Sequence, residues 1–494
     1  MKRDWMAELA SHYEKKRKMY PEEKLIILFD IDGTILDMRY MIFHVLKAYD
    51  FNHNTRFFSN LSFDDIRVHE NQIDLLLEQF QIPEEKRKEI ILWYNQDRWS
   101  PSFILESHRP YPGVLEVIRW FQLQPNTFIG LNTGRPESIR KDTLRSLNEL
   151  GKEYRVSFTD EYLYMNPAGW GKDVSASKVE GIKYFKSKGL RIVAFIDNEP
   201  ENLSAVSKID LKKEILLLHA ETIFESEKRR LPPNSAKGET FDLTELIPEK
   251  DLPRHIQFVW HGVNDEANLR QFLASDITWG ECDVRWDPTG NELILRHDSF
   301  KNHPLESDEK FQSLESLVTR LHRAGKSIKF DLKAGSYLID RLLALIEKIG
   351  IKKTDLWFNG NVERLHEAGF KKLSSAMPGA ILQCPVDFLV PLIESTPEKA
   401  REILEMYREW GIVRFSLSWL NQDIRIVFEQ MSEWGYEINI YNVPNLEAFL
   451  QAVLLVPRSI TADFNFPKWH YYGRGSGERG NYYEYTMRKV SRKR

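Results

Sequence analysis

Short runs of apolar, strand-forming residues alternate with stretches of helical periodicity along most of this 494-residue sequence. Such alternation predicts parallel sheets covered by helices, because two parallel strands need a crossover connection that is usually a helix. In the first half the predicted strands are LIILFD, NTFIGLNT, RIVAFID and EILLLHA. The chain is too long for one hydrophobic core, so we expect two domains of about 200 to 250 residues each.

The second half contains eight further strand candidates, each followed by a helical stretch. They are HIQFVWHG, ITWGECDVRW, SIKFDLK, DLWFNGNV, GAILQCPV, VRFSLSW, YEINIYNV and SITADF. Eight such repeats within about 210 residues predict a compact (β/α)8 TIM-type barrel, a fold that usually needs about 250 residues.

Breaks in these patterns divide the chain into segments. The stretch around SEKRRLPPNSAKGE is polar and irregular and predicts a linker, whereas MIFHVLKAY and IDLLLEQFQI have helical spacing and predict an inserted cap. In chain order we predict an N-terminal helix (1–21), a Rossmann-like parallel-sheet domain (22–220) with a helical cap at about 38–107, a linker (221–254), the barrel (255–470) and a basic tail (471–494).

Composition excludes several classes of protein. The net charge of −4 gives no broad attraction to nucleic acid or anionic membranes. No stretch is apolar enough to span a bilayer, and the charged N-terminus does not resemble a secretory signal. The two cysteines, Cys282 and Cys384, lie in apolar runs and are expected to be reduced core thiols. We therefore expect a cytoplasmic protein.

Polar residues stand at the end of each predicted strand of the first half. Asp30 and Asp32 lie on one face at the end of the first strand, because residues i and i+2 of a strand share a face. Thr133 ends the second strand, Asp197 ends the third, and Lys178 opens the helix before it. Three carboxylates, a hydroxyl and an ammonium can together hold Mg²⁺ and a phosphate. Asp30, Asp32 and Asp197 are the predicted metal ligands.

These residues stand in a recognisable order, DIDGT, NTGR, Lys178 and FIDNEPEN. That order resembles the four motifs of haloacid dehalogenase-like phosphohydrolases. The resemblance implies that Asp30 is the nucleophile that takes the phosphoryl group and Asp32 the general acid/base. It further implies that Thr133 binds a phosphate oxygen, that Lys178 neutralises the nucleophile, and that Asp197 holds Mg²⁺ together with Asp30.

Two assignments in this first set have alternatives. Asn198 follows Asp197 where many relatives have a second acid, and either Glu199 or Glu201 could supply that function. For the lysine, Lys172 and Lys183 lie close enough in sequence to compete with Lys178.

The second half carries its own set of polar residues near the ends of predicted barrel strands. In a (β/α)8 barrel these strand ends meet at the C-terminal face, where TIM-barrel enzymes have their active sites. Carboxylates in this set could bind Mg²⁺ or Ca²⁺, and two flanking histidines could act as base and acid on a phosphodiester. The predicted metal ligands are Glu281, Asp283 and Asp331, and the predicted catalytic residues are His261, His297 and Lys333.

The order HG, ExD, HD and DxK resembles the glycerophosphodiester phosphodiesterase-like family. The segments KSIKFDLKAG and DLWFNGNVERL resemble its menorin-like branch. Two departures stand out: Asp331 replaces the glutamate of most of these diesterases, and Gly262 replaces the arginine that follows the first histidine. The second departure weakens the expectation of a glycerophosphodiester substrate.

Together the two sets predict a bifunctional, metal-dependent phosphohydrolase. The phosphomonoesterase would act through an aspartyl-phosphate and use Mg²⁺, and the barrel would cleave phosphodiesters with Mg²⁺ or Ca²⁺. The expected partners are small phosphorylated substrates, a monoester and a diester. The alternative is a phosphatase whose barrel only binds a phosphorylated ligand. An interaction protein with two inactive sites is less favoured, because both residue sets are nearly complete.

Overall fold

The computed structural model of the chain has two compact units, Met1–Ile247 and Pro248–Arg494. It describes residues 4–80, 82–169, 173–222, 231–248, 251–305, 309, 311–335, 337–462, 472–474 and 482–484. Each unit contains its own parallel sheet with a buried apolar core. The predicted α/β class is confirmed for both units.

A six-stranded parallel sheet forms the centre of the first unit. Its strands are β1 (Leu25–Phe29), β2 (Thr127–Pro136), β3 (Leu163–Asn166), β4 (Arg191–Asp197), β5 (Leu216–Ala220) and β6 (Ser235–Gly238). They lie in the order β3-β2-β1-β4-β5-β6. All four predicted strands are present as β1, β2, β4 and β5. Strands β3 and β6 were not predicted, because LYMN and SAKG are only four residues long and carry little apolar signal.

Helices cover this sheet because their apolar faces need burial. Ile182, Phe185, Leu203 and Val206 join the core cluster against the central strands. The helices of the first unit are α1 (Trp5–Met19), α2 (Met38–His53), α3 (Ile73–Leu77), α4 (Glu84–Asp97), α5 (Pro101–Ser107), α6 (Val114–Gln122), α7 (Arg140–Gly151), α8 (Val174–Ser187), α9 (Pro200–Ile209) and α10 (Leu243–Leu246).

Helices α2 to α5 form the insert between β1 and β2, which is the segment predicted as a cap. The chain enters and leaves this insert side by side. Leu36 and Pro110 form an antiparallel bridge. The N–H of Asp37 donates to the Arg109 carbonyl at 2.9 Å, and the N–H of Tyr111 donates to the Ile35 carbonyl at 2.9 Å. The two ends of the insert are therefore tied to each other next to the end of β1.

Part of the predicted linker, 221–254, is folded into the first unit instead. Strand β6 extends the sheet beside β5, and α10 follows it. The indole of Trp5 packs against Phe241 with ring centroids 4.9 Å apart and donates through Nε1 to the Thr240 carbonyl at 2.6 Å. A linker was predicted because polar residues dominate this stretch, yet Phe241, Leu243, Leu246, Ile247 and Leu252 are buried.

The second unit is a closed parallel barrel. Its strands are β7 (Gln257–Trp260), β8 (Trp279–Trp286), β10 (Ser327–Leu332), β11 (Leu356–Asn359), β12 (Ile381–Pro385), β13 (Arg414–Ser418), β14 (Glu437–Val443) and β15 (Ser459–Ala462), with β9 (Leu293–Leu295) antiparallel to β8. Pairing of β10 with β8 and of β15 with β7 closes the ring. The predicted eight-stranded barrel is confirmed, and β9 is an addition to it.

Helices surround the barrel in sequence between its strands. In the helix Leu314–Arg323, for example, the side chains of one face are buried: Leu314, Leu317, Val318 and Leu321. The helices of this unit are α11 (Glu266–Ala274), α12 (Leu314–Arg323), α13 (Tyr337–Ile349), α14 (Val362–Ala376), α15 (Val390–Ser395), α16 (Pro397–Glu409), α17 (Ile424–Glu433) and α18 (Leu446–Leu454).

Three further sequence predictions concern thiols, membranes and the tail. Cys282 and Cys384 are free and buried, as expected. Among the described helices, none combines the length and the apolar character needed to cross a membrane. Within the predicted tail the structure describes a short antiparallel pair, β16 (Tyr472–Arg474) and β17 (Tyr482–Glu484), and the rest of 471–494 lies outside the described residues.

If the former linker belongs to the first unit, Trp5→Ala should destabilise it. Trp5 is 1% exposed, and truncating a large buried aromatic residue costs about 3 to 5 kcal/mol. We expect amide hydrogen exchange in 235–247 to accelerate, as measured by mass spectrometry. The control Phe51→Ala removes a ring that is 86% exposed and should change little. Equal exchange in both variants would contradict the assignment.

Candidate functional sites

The first candidate site lies at the carboxyl edge of the first sheet. Asp30 directly follows β1, which pairs with β2 and β4 on either side. Thr133 lies in β2 and Asp197 is the last residue of β4. The parallel order of these three neighbouring strands brings the polar residues to one edge, where α/β sheets bind ligands.

Lys178 connects the acidic residues of this edge. Its Nζ lies 2.5 Å from Asp30 Oδ1 and 2.9 Å from Asp197 Oδ2, and it also donates to the Asn132 carbonyl at 2.6 Å. Lys183 instead pairs with Glu180 on the surface, and Lys172 lies outside the described residues. Of the described lysines considered for this site, Lys178 is the one that reaches the carboxylates.

Burial and repulsion shape the electrostatics of this cluster. Burial raises the pKa of Asp30 to about 8; Lys178 opposes that shift, and Asp197 and Asp32 add to it. Burial alone would lower the pKa of Lys178, but Asp197 and Asp30 outweigh it and raise that pKa. Lys178 therefore offsets only part of the effect of burial and of the neighbouring acids on Asp30.

Asp32 has a partner that the sequence prediction did not assign. The Arg135 guanidinium donates two hydrogen bonds to the Asp32 carboxylate, from Nη2 to Oδ1 at 2.6 Å and from Nε to Oδ2 at 2.8 Å. Burial opposes ionisation of Asp32, but Arg135 holds the pKa of this carboxyl below its usual value. The indole of Trp99, from the insert, lies 5.0 Å from the guanidinium carbon. Arg135 was visible in NTGR, but its partner could not be read from the sequence.

The remaining residues of the first set have the following surroundings. Thr133 is buried, and its Oγ1 accepts from the Arg135 N–H at 3.2 Å. Asp197 accepts from Asn202 Nδ2 at 3.0 Å and from the Glu199 N–H at 2.8 Å. The Glu199 carboxylate contacts His69 of the insert at 3.3 Å.

The second candidate site lies at the mouth of the barrel. In the register of β8 and β10, Glu281 lies beside Lys329 and Asp283 beside Asp331. Ligand oxygens of Glu281, Asp283 and Asp331 lie within 4.8 Å of one another. Among the described residues, this is the one group of at least three acidic, histidine or cysteine side chains with that geometry.

Lys333 lies between two of these carboxylates. Its Nζ is 2.7 Å from Asp283 Oδ1 and also contacts Asp331. Asn264 donates to Asp283 Oδ2 at 2.5 Å, and the Gly262 N–H donates to Glu281 Oε2 at 2.8 Å. A lysine that bridges two acids thus occurs in both units.

The pKa values in this second cluster are shifted by burial and by the neighbouring charges. Burial raises the pKa of Glu281 to about 7, and Asp283 adds to the shift. Although burial opposes it, Lys333 holds the pKa of Asp283 well below its usual range. Deeper in the barrel, burial lowers the pKa of Lys329 to about 8.

Both predicted histidines line a cavity of about 330 Å³ at this end of the barrel, together with Glu281, Asp331 and Lys333. His261 Nε2 lies 3.7 Å from Glu281 Oε2, and His297 Nδ1 lies 2.9 Å from Asp298 Oδ1. The structure therefore brings together the barrel residues that the sequence placed in separate strands and loops.

The residues fit a divalent cation better in the barrel than in the first unit. The barrel gathers three acidic side chains, which are the oxygen ligands that Mg²⁺ and Ca²⁺ prefer. Burial raises the pKa of Glu281, and the charges of Asp283 and Asp331 add to that rise. In the first unit, Asp30 and Asp197 face a common lysine, but the Asp32 carboxylate faces Arg135. Arg135 thus competes with any cation for the predicted third ligand.

No protein-family model and no curated protein matches the sequence. A protein from Galdieria sulphuraria assigned as a glycerophosphodiester phosphodiesterase has 17% identity and a TM-score of 0.33, over 44% of this chain and 96% of its own. An Oleispira antarctica phosphodiesterase, solved with the product sn-glycerol-3-phosphate, has 14% identity and a TM-score of 0.33, over 44% and 95%. A Clostridium difficile protein assigned as a phosphatase has 16% identity and a TM-score of 0.31, over 46% and 100%. The similar solved structures thus include proteins assigned as phosphodiesterases and one assigned as a phosphatase.

The buried His108 behind Arg135 generates a pH prediction. Because arginine only donates, His108 Nε2 accepts from Arg135 Nη2 at 3.3 Å, and Nδ1–H donates to Ser146 Oγ at 2.8 Å. Burial and the Arg135 charge lower the pKa of His108 to about 3. This histidine is therefore neutral in the folded protein.

Acidification should consequently destabilise the first unit through His108. Between about pH 6.5 and pH 3 the unfolded chain binds a proton that the folded chain does not. The free energy of unfolding therefore decreases as the pH is lowered. Relative to His108→Asn, the wild type should lose about 2 kcal/mol of unfolding free energy between pH 7 and pH 5. Urea unfolding at each pH measures this, and a pH-independent difference between the two proteins would refute it.

Proposed function

We propose that this chain is a bifunctional hydrolase of phosphoric esters, with a phosphomonoesterase site in the first unit and a phosphodiesterase site in the barrel. One observation carries the proposal: in each unit a lysine bridges two carboxylates at the carboxyl edge of a parallel sheet. Such an edge combines a nucleophile or metal ligands with a positive charge for phosphate oxygens. The substrates would be small phosphorylated molecules.

In the first site, a carboxylate oxygen of Asp30 would attack phosphorus while the ester oxygen leaves as the alcohol. Water would then cleave the aspartyl-phosphate, releasing inorganic phosphate and restoring Asp30. Lys178, 2.5 Å from Asp30 Oδ1, favours the ionised carboxylate that this attack needs. Mg²⁺ held by Asp30 and Asp197, with Asp32 as the third predicted ligand, would offset the negative charge of nucleophile and phosphate.

Two neighbours would complete this first reaction. Thr133 would bind a phosphate oxygen through its hydroxyl, as its position in β2 allows. Asp32 would exchange a proton with the attacking water or the leaving alcohol. Because Arg135 stabilises the ionised form of Asp32, this pairing favours the role of base over that of acid.

In the barrel, one histidine would take a proton from a water molecule that attacks phosphorus, while the other donates a proton to the departing alkoxide. The products are an alcohol and a phosphomonoester. Asp298 holds His297 through Nδ1, which leaves Nε2 for proton exchange. Lys333 would stabilise the non-bridging oxygens. The acidic cluster of Glu281, Asp283 and Asp331 would hold Mg²⁺ or Ca²⁺, which supplies further positive charge. If the substrate carries a neighbouring hydroxyl, a cyclic phosphate product is equally compatible.

A barrel that binds a phosphorylated ligand without cleaving it is the second candidate. The observation that favours it is Gly262, which stands where the resembling diesterases have arginine and donates only its N–H, to Glu281. For either candidate, the two free, buried cysteines suit a reducing compartment such as the cytoplasm.

Single substitutions should separate the two activities. Asp30→Asn should lower phosphomonoesterase kcat by a factor on the order of 10⁴ or more, because an amide nitrogen cannot replace the attacking oxygen. It should leave diester cleavage intact. His261→Ala should do the reverse. Chromogenic p-nitrophenyl monoester and diester substrates measure both activities in each variant.

Matched controls come from the same units. Asp160→Asn alters a carboxylate whose side chain is 74% exposed, and His255→Ala alters an exposed histidine; both variants should behave as wild type. Normal monoester turnover by Asp30→Asn would disprove the first site. Diester cleavage that survives in His261→Ala would disprove the role of His261, and a wild type without diester cleavage would favour the binding barrel.

Metal removal should abolish both activities reversibly. Chelation leaves the barrel acids to repel one another, whereas Mg²⁺ restores the charge balance. We expect chelated protein to lose activity on both chromogenic substrates and to recover it with added Mg²⁺. We also expect added Mg²⁺ to raise the thermal unfolding midpoint. Full activity in protein shown by elemental analysis to be metal-free would contradict both site assignments.

A further inference from the structure

The predicted catalytic residue His297 lies in a loop, outside the strands of the barrel. The loop follows β9, and the His297 side chain is 44% exposed. An exposed side chain on a loop samples several rotamers unless other groups restrain it. General acid or base catalysis, however, needs a proton donor or acceptor held within hydrogen-bond reach of the reacting atom. The contacts that restrain this loop therefore matter for the proposed reaction.

Arg285 of β8 binds the main chain of this loop. Its Nη2 donates to the His297 carbonyl at 2.7 Å, and its Nε donates to the Arg296 carbonyl at 3.4 Å. The Arg296 N–H in turn donates to the Asp283 carbonyl at 3.1 Å. Arg285 and Asp283 belong to the same strand. The main chain at His297 is therefore tied to the strand that carries part of the acidic cluster.

Arg296 binds the loop through its side chain, which is only 6% exposed. Nε and Nη2 donate to the Glu309 carboxylate at 2.8 and 3.3 Å. Two further bonds go to main-chain carbonyls, from Nη1 to Asp298 at 2.7 Å and from Nη2 to His303 at 2.9 Å. The centroid of the Phe300 ring lies 4.4 Å from the guanidinium carbon. One buried guanidinium thus holds three separate points of the loop.

Asp298 links this guanidinium to the imidazole of His297. The Asp298 carbonyl accepts from Arg296, and its Oδ1 lies 2.9 Å from His297 Nδ1. Because an ionised carboxylate only accepts, Nδ1–H of His297 is the donor, and Nε2 is left for proton exchange. Movement of Asp298 would therefore release both the tautomer and the orientation of the ring.

We propose that Arg285 and Arg296 are positioning residues for His297. Arg285 fixes the main chain of the histidine, and Arg296 fixes its ring through Asp298. Neither guanidinium has to touch the substrate in this role, and neither residue belongs to the HG, ExD, HD or DxK motifs. The inference rests on the proposed diesterase function and adds the residues on which its proton transfer depends.

A double-variant cycle tests whether Arg296 acts through His297. The substrate is glycerophosphoethanolamine, because its alkoxide leaving group needs a proton, and ³¹P NMR follows loss of the diester. With the Mg²⁺-loaded full chain, Arg296→Met should lower kcat about 10- to 100-fold and leave KM within about threefold of wild type. In the His297→Ala background it should lower kcat by less than about twofold, because the group that it positions is absent. Equal losses in both backgrounds would overturn the inference.

Arg285 gives a second test, graded by side chain. Arg285→Met removes the bond to the His297 carbonyl and should lower kcat by about tenfold. Arg285→Lys keeps one donor for that carbonyl and should restore most of the activity. Arg296→Lys should not, because one ammonium cannot replace a guanidinium that binds a carboxylate and two carbonyls. Recovery in Arg296→Lys, or none in Arg285→Lys, would contradict these roles.

Arg414 provides a matched control for the loss of a buried arginine. It is 1% exposed, stands at the start of β13, and its Nη2 lies 2.7 Å from Glu437 Oε2. Arg414→Met should lower the thermal unfolding midpoint, as Arg296→Met does, while its kcat stays within about threefold of wild type. An equal loss of kcat in this control would assign the effect to stability and overturn the inference. If circular dichroism shows that Arg296→Met does not fold, the two Arg285 variants decide.

NMR of the imidazole separates failure of this inference from failure of the proposed function. Long-range ¹H–¹⁵N spectra of histidine-labelled protein at about pH 8 show which nitrogen of a neutral ring carries the hydrogen. The His297 signal is identified by its loss in His297→Gln. The wild type should show the Nδ1–H tautomer, and Arg296→Met the tautomer mixture of a free imidazole. If the wild type cleaves no diester, the diesterase proposal falls, and these spectra still decide the positioning role. An unchanged Nδ1–H tautomer in Arg296→Met would overturn it.

Discussion

Both candidate sites depend on one electrostatic constraint: buried acids gathered at the end of parallel strands need a cation among them. In the first unit Lys178 lies between Asp30 and Asp197, and in the barrel Lys333 lies between Asp283 and Asp331. Burial and the neighbouring acids raise the pKa of Asp30 even though Lys178 opposes that rise. In the barrel, Lys333 outweighs burial and holds the pKa of Asp283 below its usual range. Each lysine thus favours the ionised form of the acids beside it.

Further hydrogen bonds hold the acidic side chains in each site in position. Arg135 fixes Asp32, and Trp99 from the insert lies over the guanidinium. In the barrel, Asn359 and Asn264 hold the oxygens of Asp331 and Asp283. Side chains that only donate or only accept set the orientation of each neutral amide next to them.

The sequence was sufficient for the parts of the structure that follow from periodicity. Eight barrel strands could be predicted because each apolar run is followed by a stretch of helical spacing, and Lys178 could be chosen by its place in the helix before β4. Strand β6 could not, since SAKG has no apolar run and is held by packing with distant Trp5. Likewise, Arg135 and Asn359 contact Asp32 and Asp331 from neighbouring strands, and these contacts depend on strand register rather than on local sequence.

The tied ends of the insert in the first unit have an evolutionary consequence. Because Leu36 and Pro110 form a β-bridge, the two ends of the insert stay close together whatever the length of chain between them. Loop-closure entropy also grows only slowly with length. The insert can therefore change in length or sequence while the strands that position Asp30 and Asp197 stay unchanged.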